Sequence, residues 1–478
     1  MSASVALGAA IATAVLTGAL VVGDSVRGSL RDITLERLGA IDQALVSDRF
    51  FRGQLASELA SASEVQVVPA TLLAGTAVHA QSRARASRIQ IVGADPALAQ
   101  MLGGELDFSD PAGAGAIFPP AIINRSLQQQ LGAQVGDDLI VSFQRQSAVP
   151  RESLFGRRAS ADVVQRLRVR LRRVIDDGNL GRFGLQPHQV QPLNIYVPLA
   201  PLQEALDRRG KVNALLAGSG ESGAERLKSG LDAALTLEDY GLFVSSNPNG
   251  AQLQSRRFLI DATTAAAAVL AAQEVQAPHV AIFTYMATTL ASGDRSIPYS
   301  MVSALDPGSI KSASGALGTL VRADGSAAGL LEYGEILVNE WTAEDLAVAP
   351  GDSVTLSYYV VDPHEQLETR ETRLRVAGVV AMTGLGADRE LTPHYPGIQS
   401  AANIGNWSAP FPVDLSRIRE RDEDYWEQHG PTPKAFVATA AGVRMWRNRF
   451  GEMTSLRIGA APGQDLDSTS ARFERALL

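Results

Sequence analysis

The chain has 478 residues, 45% of them apolar and 20% charged, a formal net charge of −8 and no cysteine. That length allows roughly two to four domains with sizeable cores, and the composition excludes a disordered chain. The missing cysteine excludes disulfide scaffolds and Cys-based zinc or redox sites while leaving the compartment open. The acidic balance argues against nucleic acid as a main partner.

Met1 to Val22 carries no charged side chain. About 20 apolar residues at 1.5 Å rise span the hydrocarbon core of a bilayer, so residues 1–22 are expected as a transmembrane helix. Two other readings stay open, a cleaved signal peptide and a buried core helix. No Lys or Arg precedes Arg27, however, and the apolar run exceeds the roughly 7–15 residues of a signal peptide. The blank N-terminal flank leaves orientation undetermined. Residues 23–39 are expected as a helical exit into water, with Val26, Leu30, Ile33 and Leu38 near one face. Strands are expected at Ile41–Val46, Glu64–Val68 and Arg88–Val92, with a short helix over Arg52–Ala60. No second run reaches membrane length; Ala262–Ala272 is expected as an ordinary helix.

Self-similarity organises the remainder. AIINRSLQQQLGAQVGDDLIVSF from Ala121 aligns at constant offset with EILVNEWTAEDLAVAPGDSVTLSYY from Glu335. Asn124 falls on Asn339, Leu131 on Leu346, and Gly136-Asp137 on Gly351-Asp352. Each copy predicts a strand, a short helix, a Gly-Asp turn and an alternating strand. The flanks follow in the same order. Arg88–Val92 is answered by Ile297–Leu305, Leu167–Val174 by Leu374–Val380, Ile195–Val197 by Phe436–Ala438, and Val212–Leu216 by Thr454–Ile458. Amphipathic helices are expected at Glu225–Leu235 and Asp467–Leu478. The expectation is two tandem α+β modules, at 40–245 and 246–478. They differ in their loops: a polar, basic one after Phe143, a longer excursion from Gly384 to Gly430, and a Gly/Ser/Ala-rich tract from Pro307 to Gly334.

No residue is assigned as catalytic, cofactor-binding or metal-ligating. Phosphate-loop and dinucleotide motifs are absent, and the six histidines (His79, His188, His279, His364, His394, His429) are scattered. His364-Glu365 begins a zincin-like run without its second histidine. Gly23-Asp24-Ser25 resembles the first block of GDS-type esterases, but the Asp-x-x-His that supplies their base is missing. An enzyme would require a His and a carboxylate beside a Ser in a pocket. Arg166–Val174, RLRVRLRRV, predicts a strand with one basic face, read as a solvated face or protected edge. Asp294–Met301, DRSIPYSM, predicts an edge strand or loop corner around Pro298-Tyr299.

The opening helix and GDSVRGSLRDITLERLGAIDQALV resemble the first membrane segment and exit of FtsX-like ABC transporter permeases. VNEWTAEDLAVAPGDSVTL followed by RLRVAGVVAMT resembles the small β-rich subdomain of their MacB-type periplasmic domain, and the flanking pieces resemble its α+β subdomain. The resemblance implies a non-enzymatic permease subunit in the inner (cytoplasmic) membrane with its bulk periplasmic, without cofactor. It also implies a separate cytoplasmic ABC ATPase and a second permease copy as partners. Such permeases carry further membrane helices after the periplasmic domain. With Leu478 ending a helix, the expectation is a piece of a longer permease or a shortened single-span protein. The rival is a membrane-anchored extracytoplasmic binding or scaffold protein.

Overall fold

A computed structural model describes residues 2–109, 117–144, 164–186, 190–247, 249–306, 317–362, 366–395, 398, 401, 403–407 and 412–478. Contacts divide these into two compact units, one of Met1–Arg145 and Val163–Leu235, the other of Thr236–Leu478. Both are mixed α and β.

The first unit begins with α1 (Ser2–Leu38), one unbroken helix of 37 residues. The membrane span expected at 1–22 falls largely on side chains 1–12, which lie outside the described residues, as do Leu30 and Ile33 of the exit face. Among the described residues no helix is long and apolar enough to cross a membrane. The helix stops at Gly39, whose φ of +58° is open to glycine at little cost. A Cβ there would lie 2.7 Å from the Met101 carbonyl oxygen.

There follow β1 (Gln43–Arg52), α2 (Leu55–Ser63), β2 (Gln66–His79), β3 (Arg85–Ala94), α3 (Pro96–Met101), β4 (Pro120–Asn124), α4 (Arg125–Leu131) and β5 (Asp138–Gln144). After them come β6 (Val164–Ile175), β7 (Asn194–Pro198), α5 (Leu199–Ala205), β8 (Lys211–Gly218) and α6 (Gly220–Ala234). The strands run β1-β8-β2-β3-β7-β4-β6-β5, and β5 pairs back onto β2. Six strands therefore close a circuit around a core that includes Ala77, Ile91, Ile123, Val141 and Leu171. β2 serves both parts of the sheet: Gln66–Ala70 pair with β8 and Gly75–His79 with β5. This double duty explains why the strand runs on past Pro69 and Gly75, where its expected end was Val68. Gly75 permits the closure, because a Cβ there would lie 2.5 Å from the Ser142 carbonyl oxygen. Helices α2 and α6 cover the β1-β8 end over Leu55, Leu59, Val212 and Leu215.

The second unit contains β9 (Leu242–Asn247), β10 (Gly250–Ser255), α7 (Ala262–Glu274), β11 (His279–Ser292), β12 (Arg295–Ala304), β13 (Glu335–Asn339), α8 (Glu340–Leu346) and β14 (Ser353–Val361). It continues with β15 (Leu367–Val380), α9 (Glu420–His429), β16 (Ala435–Val437), α10 (Thr439–Trp446), β17 (Ser455–Ile458) and α11 (Leu466–Leu477). Each pairing among β1–β8 has a counterpart of the same sense among β10–β17, nine strands later in the chain. Both circuits contain two parallel pairs, β3·β7 and β4·β6 in one, β12·β16 and β13·β15 in the other. β9 is additional; it covers β10, whereas β1 ends its sheet.

Two local expectations, each with two alternatives, are narrowed. Arg166–Val174 lies in β6, which pairs with β5 up to Arg170 and with β4 from Arg170 onward, and Arg166, Arg168 and Arg173 are exposed, as a solvated face requires. Pro298 and Tyr299 lie within β12, opposite β11 and beyond the stretch that β16 pairs. Tyr299 takes a φ of +42°, unusual for an aromatic residue, and its hydroxyl accepts from Asp414 N at 2.6 Å.

The same buried asparagine joins strand to helix in both units. Asn124 Oδ1 accepts from Leu127 N and Asn194 N, and its Nδ2 donates to the carbonyls of Gly181 and Pro192. Asn339 caps α8 through Thr342 N and donates to Tyr425 Oη and Pro433 O. Asn124→Ala removes a helix cap and leaves buried backbone groups unpaired, a loss of roughly 3 kcal/mol. Amide hydrogen exchange over residues 120–198 should show that loss of protection, while Gln128→Ala on the same helix leaves it nearly unchanged.

Candidate functional site

The sequence fragments with catalytic overtones do not assemble. Ser25 is exposed in the interior of α1, and not at the strand-to-helix turn an esterase nucleophile requires. His188, His364 and Glu365 lie outside the described residues. Among the described residues no group of three His, Asp or Glu side chains could hold a metal ion.

One Ser-His-Asp group does form. His79 is buried at the end of β2; its Nδ1 lies 2.6 Å from Ser82 Oγ, and its Nε2 lies 3.1 Å from Asp137 Oδ2. The details belong to a turn. Ser82 N also points at Nδ1, at 3.3 Å, and Ser82 Oγ accepts from Ala84 N. Asp137 Oδ2 accepts from Gln134 N at 2.7 Å, closing the turn before β5. The contact with Nε2 is close but outside hydrogen-bond alignment, so the imidazole is not oriented as a general base. This group ties the β2–β3 turn to the start of β5.

Charge is concentrated inside the second unit. Arg419 forks onto Asp345 and Asp422, its Nη2 at 2.6 Å from Asp345 Oδ2 and 2.8 Å from Asp422 Oδ1. Lys434, 4% exposed, lies 3.8 Å from Asp422 and over the rings of Trp341 and Tyr425, at 4.4 and 4.7 Å. Burial draws its ammonium down to about 8, against the pull of Asp422. Asp422 and Arg419 belong to the 384–430 excursion, so this network pins α9 against α8 and the strand β16.

A second network holds the start of the excursion. Arg457 is fully buried in β17, with Nη1 2.7 Å from Asp388 Oδ2 and Nη2 2.9 Å from Gln252 Oε1. Asn249 Nδ2 donates to the same Asp388 oxygen. At the corresponding register the first unit has Leu216 and Phe183, both buried in one apolar cluster. An apolar contact in one unit is thus an ion pair in the other. Sequence reasoning passed over Arg457, Asp388 and Lys434; the only signal was a single charge in an otherwise apolar strand.

Among the cavities, an open groove of about 520 Å³ runs between β9 and α11, bordered by Leu237, Val244, Ser470, Arg475 and Leu478. A smaller one, about 250 Å³, lies where the β11–β12 turn meets β14 and β15.

No protein-family model matches the chain, and no curated protein matches it. It is similar in part to solved structures. One is the extracellular domain of the noncanonic ABC-type transporter YknZ from Gram-positive bacteria, at 15% identity, over 39% of this chain and 80% of that one, with a TM-score of 0.24. Another is the periplasmic region of MacB from Actinobacillus actinomycetemcomitans, at 14% identity, over 42% of this chain and 88% of that one, with a TM-score of 0.27.

The two networks respond differently to change. Because the Lys434 ammonium loses its proton more readily when folded than when unfolded, the unfolded chain binds more protons above pH 8, and stability rises with pH there. The gain from pH 8 to 10 is roughly 2 kcal/mol relative to Lys434→Met. All four tryptophans (Trp341, Trp407, Trp426, Trp446) lie in the second unit, so urea unfolding followed by tryptophan fluorescence reads it directly. In the same assay Arg457→Leu alone loses roughly 3–5 kcal/mol by stranding Asp388, and Asp388→Phe added to it recovers most of the loss.

Proposed function

We propose that the chain is a non-catalytic permease component of an ABC transport complex in the cytoplasmic membrane. In this reading residues 1–22 span the membrane, 23–39 form the helical exit, and 40–245 and 246–478 are tandem MacB-like extracytoplasmic modules descended from one unit. The observation that carries it is α1. Val15, Leu16, Leu20, Val21 and Val22 are each more than 60% exposed, aliphatic around the whole helix, on an element that runs unbroken into the first unit. A lipid surround removes that apolar area from water at about 25 cal/mol per Å². The residues quoted above from the exit and around Asn339 support the family resemblance, and the matched pairings of β1–β8 and β10–β17 support the duplication.

The mechanism follows from stiffness. A separate cytoplasmic ABC ATPase, with a second permease copy, moves the membrane helices, and α1 carries that motion outward. Gly39, packed against Met101 and Leu102, clamps the helix end to the first unit, so a tilt of α1 becomes a tilt of the module. Gly28, with open space around it, is the position where the helix bends most readily. The product is mechanical work on a substrate in export or extraction, and no bond chemistry occurs in this chain. The groove between β9 and α11 favours the rival reading, an anchored extracytoplasmic binding or scaffold protein.

The test uses the full chain co-expressed with an ABC ATPase from the same organism. The expected result is retention in carbonate-washed membranes, copurification with the ATPase, and transport abolished by a Gly-Gly-Ser insertion after Gly39 while ATP hydrolysis persists. A chain that stays in the membrane but never associates with the ATPase establishes the rival. Release by carbonate overturns both.

A further inference from the structure

One pair of arginine positions is treated differently in the two units. In the first, β6 sets Arg168 and Arg170 beside Asp138 of β5 on the solvated face. Arg168 donates to Asp138 Oδ2 from Nε and Nη2, at 3.1 and 2.6 Å, and Arg170 Nε donates to Oδ1 at 2.8 Å. The hydrogen bond from Arg170, then that from Arg168, holds this carboxylate below its ordinary range. The first unit thus supplies its own anion to its own arginines.

In the second unit the matching register sets Ser353 where Asp138 stands, and Arg373 and Arg375 where Arg168 and Arg170 stand. Arg375 is taken by Glu335, which occupies the place of Pro120. Arg373 has no acidic partner among the described residues. Glu371, two residues earlier on the same strand, is engaged by Ser357 Oγ at 3.2 Å. Arg373 instead borders the cavity of about 250 Å³, together with Ala291, Ser292, Gly293, Ser353 and Thr355. Its wall holds a guanidinium and three hydroxyls, all able to donate, and no carboxylate.

We propose that this cavity binds an oxyanion, a carboxylate or phosphate group, with Arg373 as its ion-pair donor and the hydroxyls of Ser292, Ser353 and Thr355 completing the shell. A planar guanidinium matches either group in two-pronged geometry. Asp138 marks, within the same protein, where such an anion sits relative to the paired strands. The loss of that carboxylate at Ser353 converts a closed internal ion pair into a receptive one. This site does not depend on the transport reading.

The experiment is calorimetric titration of the full chain at constant ionic strength with two separate probes, inorganic phosphate and N-acetyl-aspartate amide. The probe that binds identifies whether the source is a free phosphate or an acidic side chain of a partner. Saturable binding of at least one is expected, with Arg373→Gln and Ser353→Asp each weakening it by about tenfold or more. Ser353→Asp supplies the carboxylate that the first unit already has, and Asp138→Ser should add a second site of the same kind. Circular dichroism checks that each variant folds; where Ser353→Asp does not, Arg373→Gln decides. Absence of saturable binding, binding that survives either substitution in a folded chain, or no added site in Asp138→Ser overturns the proposal.

Discussion

The closed circuit in each unit depends on one fully buried amide. Asn124 stands where β4 becomes α4, and its side chain satisfies the helix end, the start of β7 and the carbonyls of Gly181 and Pro192 together. A buried polar group with all of its bonds made is rigidifying; with one missing it is costly. The turn that offers the Gly181 carbonyl is drawn in so closely that a Cβ at Gly181 would lie 1.9 Å from the Asp176 carbonyl oxygen. Gly386 repeats this against Ala381, at 2.1 Å, in the unit that contains Asn339. Strand order, helix start and turn are therefore coupled, and loosening one exposes unpaired groups in the others.

At matching positions of their pairings the two units differ by compensated exchanges. Where the first unit has Phe183 and Leu216 the second has Asp388 and Arg457; where the first has the buried Asn194 the second has Lys434, with Asp422 and Arg419 supplied by an excursion that the first unit lacks. The excursion supplies aromatic rings to its own core, with Trp407 against Trp426 at 5.0 Å and Tyr299 against Trp407 at 6.4 Å. A buried ion pair contributes less net stability than an apolar contact of equal volume, but it is strongly directional. In the second unit such pairs fix where a long segment returns to the sheet. The first unit needs no such device between β6 and β7, where the short turn at Asn179–Arg182 is held by Asn124 and by Tyr196 Oη on the Leu180 carbonyl.

The strand, helix and turn pattern that the two units share was legible because its signals are local. Asn followed three residues later by a helical amide, Gly-Asp at a turn, and alternating apolar positions each act within a few residues, and Gly136 and Gly351 share a φ of +101°. The full extent of β2 and the existence of β11 were not legible. Each owes its length to pairing with two neighbours far away in sequence, and β11 carries no alternation because both of its faces are covered. The candidate cavity beside Arg373 was equally hidden. RLRVRLRRV drew notice for its charge, but whether an arginine is spoken for depends on which residue faces it across the sheet.

What the amino-acid sequence determined by itself was the apolar opening stretch, most of the strands and helices in their order, and the constant offset that sets Asn124 on Asn339 and Gly136-Asp137 on Gly351-Asp352. These follow from hydropathy period and turn chemistry, which need no distant partner. Only the tertiary structure decided that the strands close into circuits, that Arg457 and Lys434 are buried with their counter-charges, and that Asp138 satisfies two arginines where Ser353 leaves one unmatched. Closure, burial and charge pairing are properties of residues far apart in the chain, and no local pattern encodes them.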